Sequence, residues 1–196
     1  MIRRRKAIVG VAATLLLLTG LSAWFVSAHP LVFNESFFGH AHCIACVYTG
    51  LGQYAAEHGG AYPVHTNGYA DALAMIYGGT WMLTGPGYTE RLPDEVKQSD
   101  IPESKCGRVY VQGLSKGCDP HIAFVFDKKA TPGGDHCHGF NRLRAPLGRE
   151  VVFVGEGLDF IPCSEWTGFA SNQIDRLVAG GMPRVRACWY YDQVDK

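Results

Sequence analysis

The first 28 residues, "MIRRRKAIVGVAATLLLLTGLSAWFVSA", place four basic residues ahead of an apolar run that carries no charge from Ala7 to Ala28. A basic tip followed by about 20 apolar residues is an export signal or a membrane anchor. Val26, Ser27 and Ala28 suit signal-peptidase cleavage and the run is also long enough to span hydrocarbon, so both readings stand. In either, Arg3, Arg4, Arg5 and Lys6 stay on the cytoplasmic side and the chain beyond Ala28 faces the periplasm or the exterior. Residues 1–28 are therefore expected as a signal or signal-anchor helix and residues 29–196 as one extracytoplasmic domain, inner-membrane anchored or exported. A body of that length buries a real core, and 47% hydrophobic residues supply it.

Export changes the electrostatics. Removing residues 1–28 takes away four basic residues and no acidic ones, leaving 14 Lys and Arg against 18 Asp and Glu, a formal charge of −4. No Lys/Arg cluster remains to hold a phosphate backbone, which argues against nucleic-acid binding. Export also sets the redox frame. All seven cysteines (Cys43, Cys46, Cys106, Cys118, Cys137, Cys163 and Cys188) lie beyond the apolar run, where disulfides are the default. Cys106 and Cys118 bracket "GRVYVQGLSKG", and a bridge closing a loop of that size would stabilise by ~3 kcal/mol.

Apolar residues Ile44, Val47, Tyr48, Leu51, Tyr54 and Ala55 recur at three- and four-residue steps, predicting a helix over 40–58 that Gly59-Gly60 stops. A shorter helix is predicted over 67–77 and a long polar loop follows it. Strands are predicted at "RVYV", "HIAFVFD" and "REVVFVGEGLDFI", a helix from Ser164 to Ala179, and a closing strand at "RVRACWYY". The fold class is α+β: an N-terminal apolar helix, then a long helix packed on a small antiparallel sheet covered on one side.

In that order the motifs carry a resemblance. "LGQYAAEHGGAYP" looks like the end of the long helix and the Gly-Gly-x-Tyr-Pro turn of type II secretion pseudopilin G-like proteins, the exported prepilin-like proteins of planctomycetes. "CGRVYVQGLSKGCDPHIAFVFDKK" is similar to their cysteine, strand, turn and second strand, and "VVFVGEGLDFI" resembles their last strand pair. The resemblance spans about Cys43 to Ile161 and implies a pilin-like head, a helix lying on an antiparallel sheet. Two features depart from the family pattern. No Glu precedes Glu35, so prepilin-peptidase processing is not implied, and Gly155-Glu156-Gly157 stands where the family has Asp-Gly-His, so no role of that Asp and His carries over.

Two clusters could carry chemistry. "HAHCIAC" offers His40, His42, Cys43 and Cys46, and "GGDHCHG" offers Asp135, His136, Cys137 and His138 in a Gly-rich loop. Cys43, Cys46, His136 and His138 would form a tetrahedral set for Zn or Cu if the two segments met. The same Cys43-x-x-Cys46 at a helix start would also suit thiol exchange, because the helix dipole favours a thiolate there. A c-type haem needs a His where Val47 stands. "GLSKG" has the letters of a nucleophile elbow, but a strand follows instead of a helix, making Ser115 a turn residue. The expectation is a non-enzymatic pseudopilin-like envelope protein with no catalytic residues and no required cofactor. Its partners would be other envelope proteins or itself, with the membrane met through the N-terminal helix. An extracytoplasmic metal-binding protein is the competing class, and a thiol oxidoreductase the third.

Overall fold

The computed structural model describes residues 17–22, 44–76, 83, 85, 102–132, 146–155 and 157–195. The chain divides into two compact units, Met1–Phe38 and Gly39–Lys196. In the first, residues 17–22 are helical and exposed; the rest of the expected apolar segment lies outside the described residues. Among the described residues, no helix is long and apolar enough to cross a membrane.

The second unit is α+β. Helix α1 spans Ile44–Glu57 and buries Ile44, Val47, Gly50, Leu51 and Ala55, the predicted stripe. It ends where the sequence says it should: Gly59 and Gly60 adopt positive φ and the Gly60 N–H donates to the Ala55 carbonyl at 2.7 Å. Gly50 has a packing reason. A Cβ there would stand 3.1 Å from Ile76 Cδ1, so the bare backbone lets the segment after α2 come close. Helix α2 is the short Tyr69–Ala74, every residue of it buried.

Five strands form one antiparallel sheet: β1 (Arg108–Tyr110), β2 (Ala123–Asp127), β3 (Thr131–Pro132), β4 (Leu147–Phe153) and β5 (Gly157–Pro162). β2 pairs with β1 and β4, while β4 also pairs with β3 and with β5. Helices α3 (Cys163–Ala179) and α4 (Arg184–Tyr191) follow.

Strands β1, β2 and β4 are covered on both faces, a correction to the one-sided expectation, while β5 stays largely exposed. Register puts Val109, Phe126 and Val151 on one face and Tyr110, Val125 and Val152 on the other. On the first, Phe126 lies 5.6 Å from the Trp166 ring of α3 and 4.8 Å from Tyr191 of α4, and Phe153 meets Phe169 edge-on. On the second, the Tyr110 hydroxyl donates to the Pro63 carbonyl at 2.7 Å, and Tyr62 packs on Phe124. Helix α1 packs on β4 and β5. The physical sign was present in the sequence. "AFVFD" and "EVVFV" are unbroken apolar runs instead of alternating ones, which is how strands buried on both faces read, and β2 is buried throughout.

Two further expectations are corrected. "RVRACWYY" is helix α4, not a strand. Its Val, Trp and Tyr have β propensity, but Ala187, Tyr190 and Tyr191 bury at three- and four-residue steps while Arg184, Val185 and Arg186 stay exposed, a helical period that tertiary packing selects. Pro183, extended at φ −57°, starts the helix without losing a needed N–H.

Cys106 and Cys118 are not bridged; both are free thiols, as are Cys163 and Cys188. Cys106 lies two residues before β1, and Cys118 follows the turn beyond its far end. The three-residue β1 and the residues flanking it stand between the two, and a disulfide needs Cα atoms within about 7 Å.

Candidate functional site

Of the expected metal set, Cys46 alone is among the described residues. It sits in the first turn of α1, half-buried and packed against the core. Cys43, His136 and His138 lie outside the described residues, as do His40, His42, Asp135 and Cys137. Among the described residues, no group of three or more His, Cys, Asp or Glu side chains is placed to hold a metal. Ser115 is a turn residue as read: it bridges Ala61, and a turn and β2 follow it.

The structure instead concentrates charge at one end of the sheet. Arg108 and Asp127 are register partners on β1 and β2, fully buried, with Arg108 Nε 3.4 Å from Asp127 Oδ1. Continuing the same register, Glu150 of β4 comes next in the row and is also buried. Gly107, just before β1, packs backbone to backbone against Gly85, where a Cβ would fall 2.6 Å from the Gly85 nitrogen. Beside this row, buried Lys128 donates through Nζ to the Glu103 carbonyl and lies 5.6 Å over the Tyr69 ring.

Burial lowers the Lys128 pKa and raises that of Glu103 against the opposing pull of the Tyr69 N–H and Lys128. It pushes the Cys106 thiol up to about 11. A thiol held protonated in this way is a poor nucleophile. The cluster therefore has the chemistry of a structural network, in which matched charges fix strand register.

A second feature is open to solvent. Between the 112–122 turn and the α3–α4 junction lies a cleft of about 600 Å³. Its α3 side is shaped by a Schellman motif: the Met182 N–H donates to the Leu177 carbonyl, the Gly181 N–H donates to the Val178 carbonyl, and Gly181 takes φ +96°. Leu177, Ile122 and Met182 give it an apolar floor, and Arg176 and Arg186 line it. Arg176 is held by Asp119, Nη1 to Oδ2 at 2.8 Å. The Asp119 carboxyl is in turn held below the usual carboxylate range by the His121 N–H and by Arg176. Cys118 also lines the cleft, its sulfur accepting the Ser115 N–H at 3.4 Å. Sequence reading missed this site because it made residues 184–191 a strand; the signal available was Gly180-Gly181 followed by Pro183, a helix stop and a helix start.

No protein-family model matches the chain, and no curated protein and no solved structure matches it.

Proposed function

We propose that this protein is a non-enzymatic envelope protein, a pseudopilin-like head held or released outside the cytoplasmic membrane that presents a surface to other envelope proteins or to itself. The observation that carries the reading is α1. It follows a basic-tipped apolar leader in the sequence and lays its Ile44, Val47, Leu51 and Ala55 stripe toward an antiparallel sheet whose last two full strands form the β4–β5 hairpin. That is the element order the family resemblance implies. The C-terminal pair α3–α4 then adds a second cover to the sheet. The surface available for partners includes the β5 strand, where Leu158 is 39% exposed, and α4, where Val185 is 84% exposed.

Protease treatment of intact spheroplasts tests the placement, with digestion of the head expected. Photo-crosslinkers placed at Leu158 and Val185 in those cells should then give discrete adducts of defined mass. Recovery of the full chain as soluble cytosolic protein, or crosslinkers that yield no defined species, would defeat the proposal. Elemental analysis of the same preparation separates the competing class: about one zinc or copper per chain, lost in Cys46→Ala and His138→Ala, would make it a metal-binding protein instead.

A further inference from the structure

We infer that the cleft between the 112–122 turn and the α3–α4 junction is a binding site for an organic carboxylate with a short apolar body. This goes beyond the envelope role and does not depend on it.

Three observations converge. The first is size: about 600 Å³ is within the range of pockets that enclose small organic ligands. The second is an oriented cation. The Arg186 Nη2 donates to the Tyr190 hydroxyl at 3.3 Å and its guanidinium lies 6.0 Å from the Tyr190 ring centroid. Tyr190 is itself fixed, 1% exposed, with its oxygen also accepting the Gln112 N–H at 3.2 Å. Arg186 is thus aimed by a buried anchor while its remaining donors stay available. Among the described residues, no ion pair uses it; the neighbouring Arg176 is taken by Asp119. A planar fork of donors with no carboxylate of its own selects a carboxylate from outside.

The third is an open, backbone-lined wall. Cβ atoms built at Gly113 and Gly181 would meet nothing within 4 Å, and one at Gly117 only Ser115 Oγ at 3.7 Å, so a ligand can approach the main chain closely. The floor of Leu177, Ile122 and Met182 then takes the apolar body. A free small acid and the C-terminal carboxylate of a peptide share this chemistry.

Calorimetric titration of the purified full chain distinguishes the sources and tests the site. The probes are phenylacetate against its neutral isostere phenylacetamide, and the peptide Ala-Ala-Leu-Phe with a free against an amidated C-terminus. At least one acid is expected to bind saturably and about tenfold or more tighter than its neutral counterpart. Binding of the small acid alone assigns the site to a free acid, and binding of the peptide acid alone to a chain end.

Arg186→Gln should erase the preference for acid. Arg176→Gln should weaken it less, and Gly117→Leu, which fills the cleft without altering charge, should abolish binding of both forms. Arg186 is exposed, so thermal melts of its variant should overlay those of the parent. Equal binding of acid and neutral forms, a preference that survives Arg186→Gln, or no saturable binding of any probe up to about 10 mM would overturn the inference.

Discussion

Phe126 of β2 and Tyr191 of α4 lie face to face, ring centroids 4.8 Å apart and planes 17° from parallel, and the Tyr191 hydroxyl donates to the carbonyl of Ala123, three residues earlier on β2, at 3.2 Å. One aromatic pair therefore binds the C-terminal helix to the central strand through both ring and hydroxyl. Tyr191→Phe is expected to cost about 1 kcal/mol, the worth of one buried hydrogen bond. Tyr191→Ala should cost about 3–5 kcal/mol. Denaturant unfolding of the full chain measures both, and equal costs would mean that the ring contact contributes little.

The Arg108–Asp127 pair should behave as buried charge. Asp127→Asn or Arg108→Met alone leaves one ion without its register partner and is expected to destabilise by about 3–5 kcal/mol. The double variant Arg108→Met/Asp127→Leu should recover much of that loss in the same unfolding measurement.

Cys106 should be the slow thiol. With its pKa pushed to about 11 from an ordinary value of 9.0, its thiolate fraction at pH 8 falls about a hundredfold. Mass-spectrometric alkylation kinetics on the native chain should rank it behind half-exposed Cys118 and exposed Cys163. The sign of its effect on stability follows. A raised folded-state pKa stabilises fully below the unfolded value and the contribution is lost as pH rises, here between about 9 and about 11. Cys106→Ala should flatten that part of the stability profile.

Asp119 shows the opposite sign. The His121 N–H and Arg176 lower its pKa, so its contribution is present above the ordinary carboxylate value and disappears as pH falls through the depressed one. A carboxyl-carbon NMR titration should place its midpoint below that of an unpaired Asp, and Arg176→Gln should move the midpoint upward.

Gly181, at φ +96°, closes the Schellman turn between α3 and α4. Gly181→Val is expected to cost about 1–3 kcal/mol because an L side chain is strained there, whereas Val178→Ala on the preceding turn relieves nothing. Thermal melts compare the two.

Much of this architecture is legible in the residues. The α1 stripe, its Gly59-Gly60 stop, the β1 and β2 runs, the β4–β5 hairpin and α3 follow from local period and punctuation. What failed was long-range. Nothing in "RVRACWYY" alone states that α3 and β2 will offer Trp166 and Phe126 for Tyr191 to stack upon, and β propensity wins until they do. The Cys106–Cys118 pairing failed because loop length speaks to entropy but not to the rigid strand that separates the two sulfurs. The candidate cleft was hidden for the same reason as α4: Arg176, Arg186 and Tyr190 converge only once residues 184–191 are wound as a helix.

With helices or loop packed over both sides of β1, β2 and β4, those strands have, among the described residues, no open face to lend to a neighbour, and β5 alone keeps one. Association with another protein is expected along β5 and on the outward sides of the helices, so hydrogen-exchange footprints of such a complex should leave the amides of the central strand β2 unchanged.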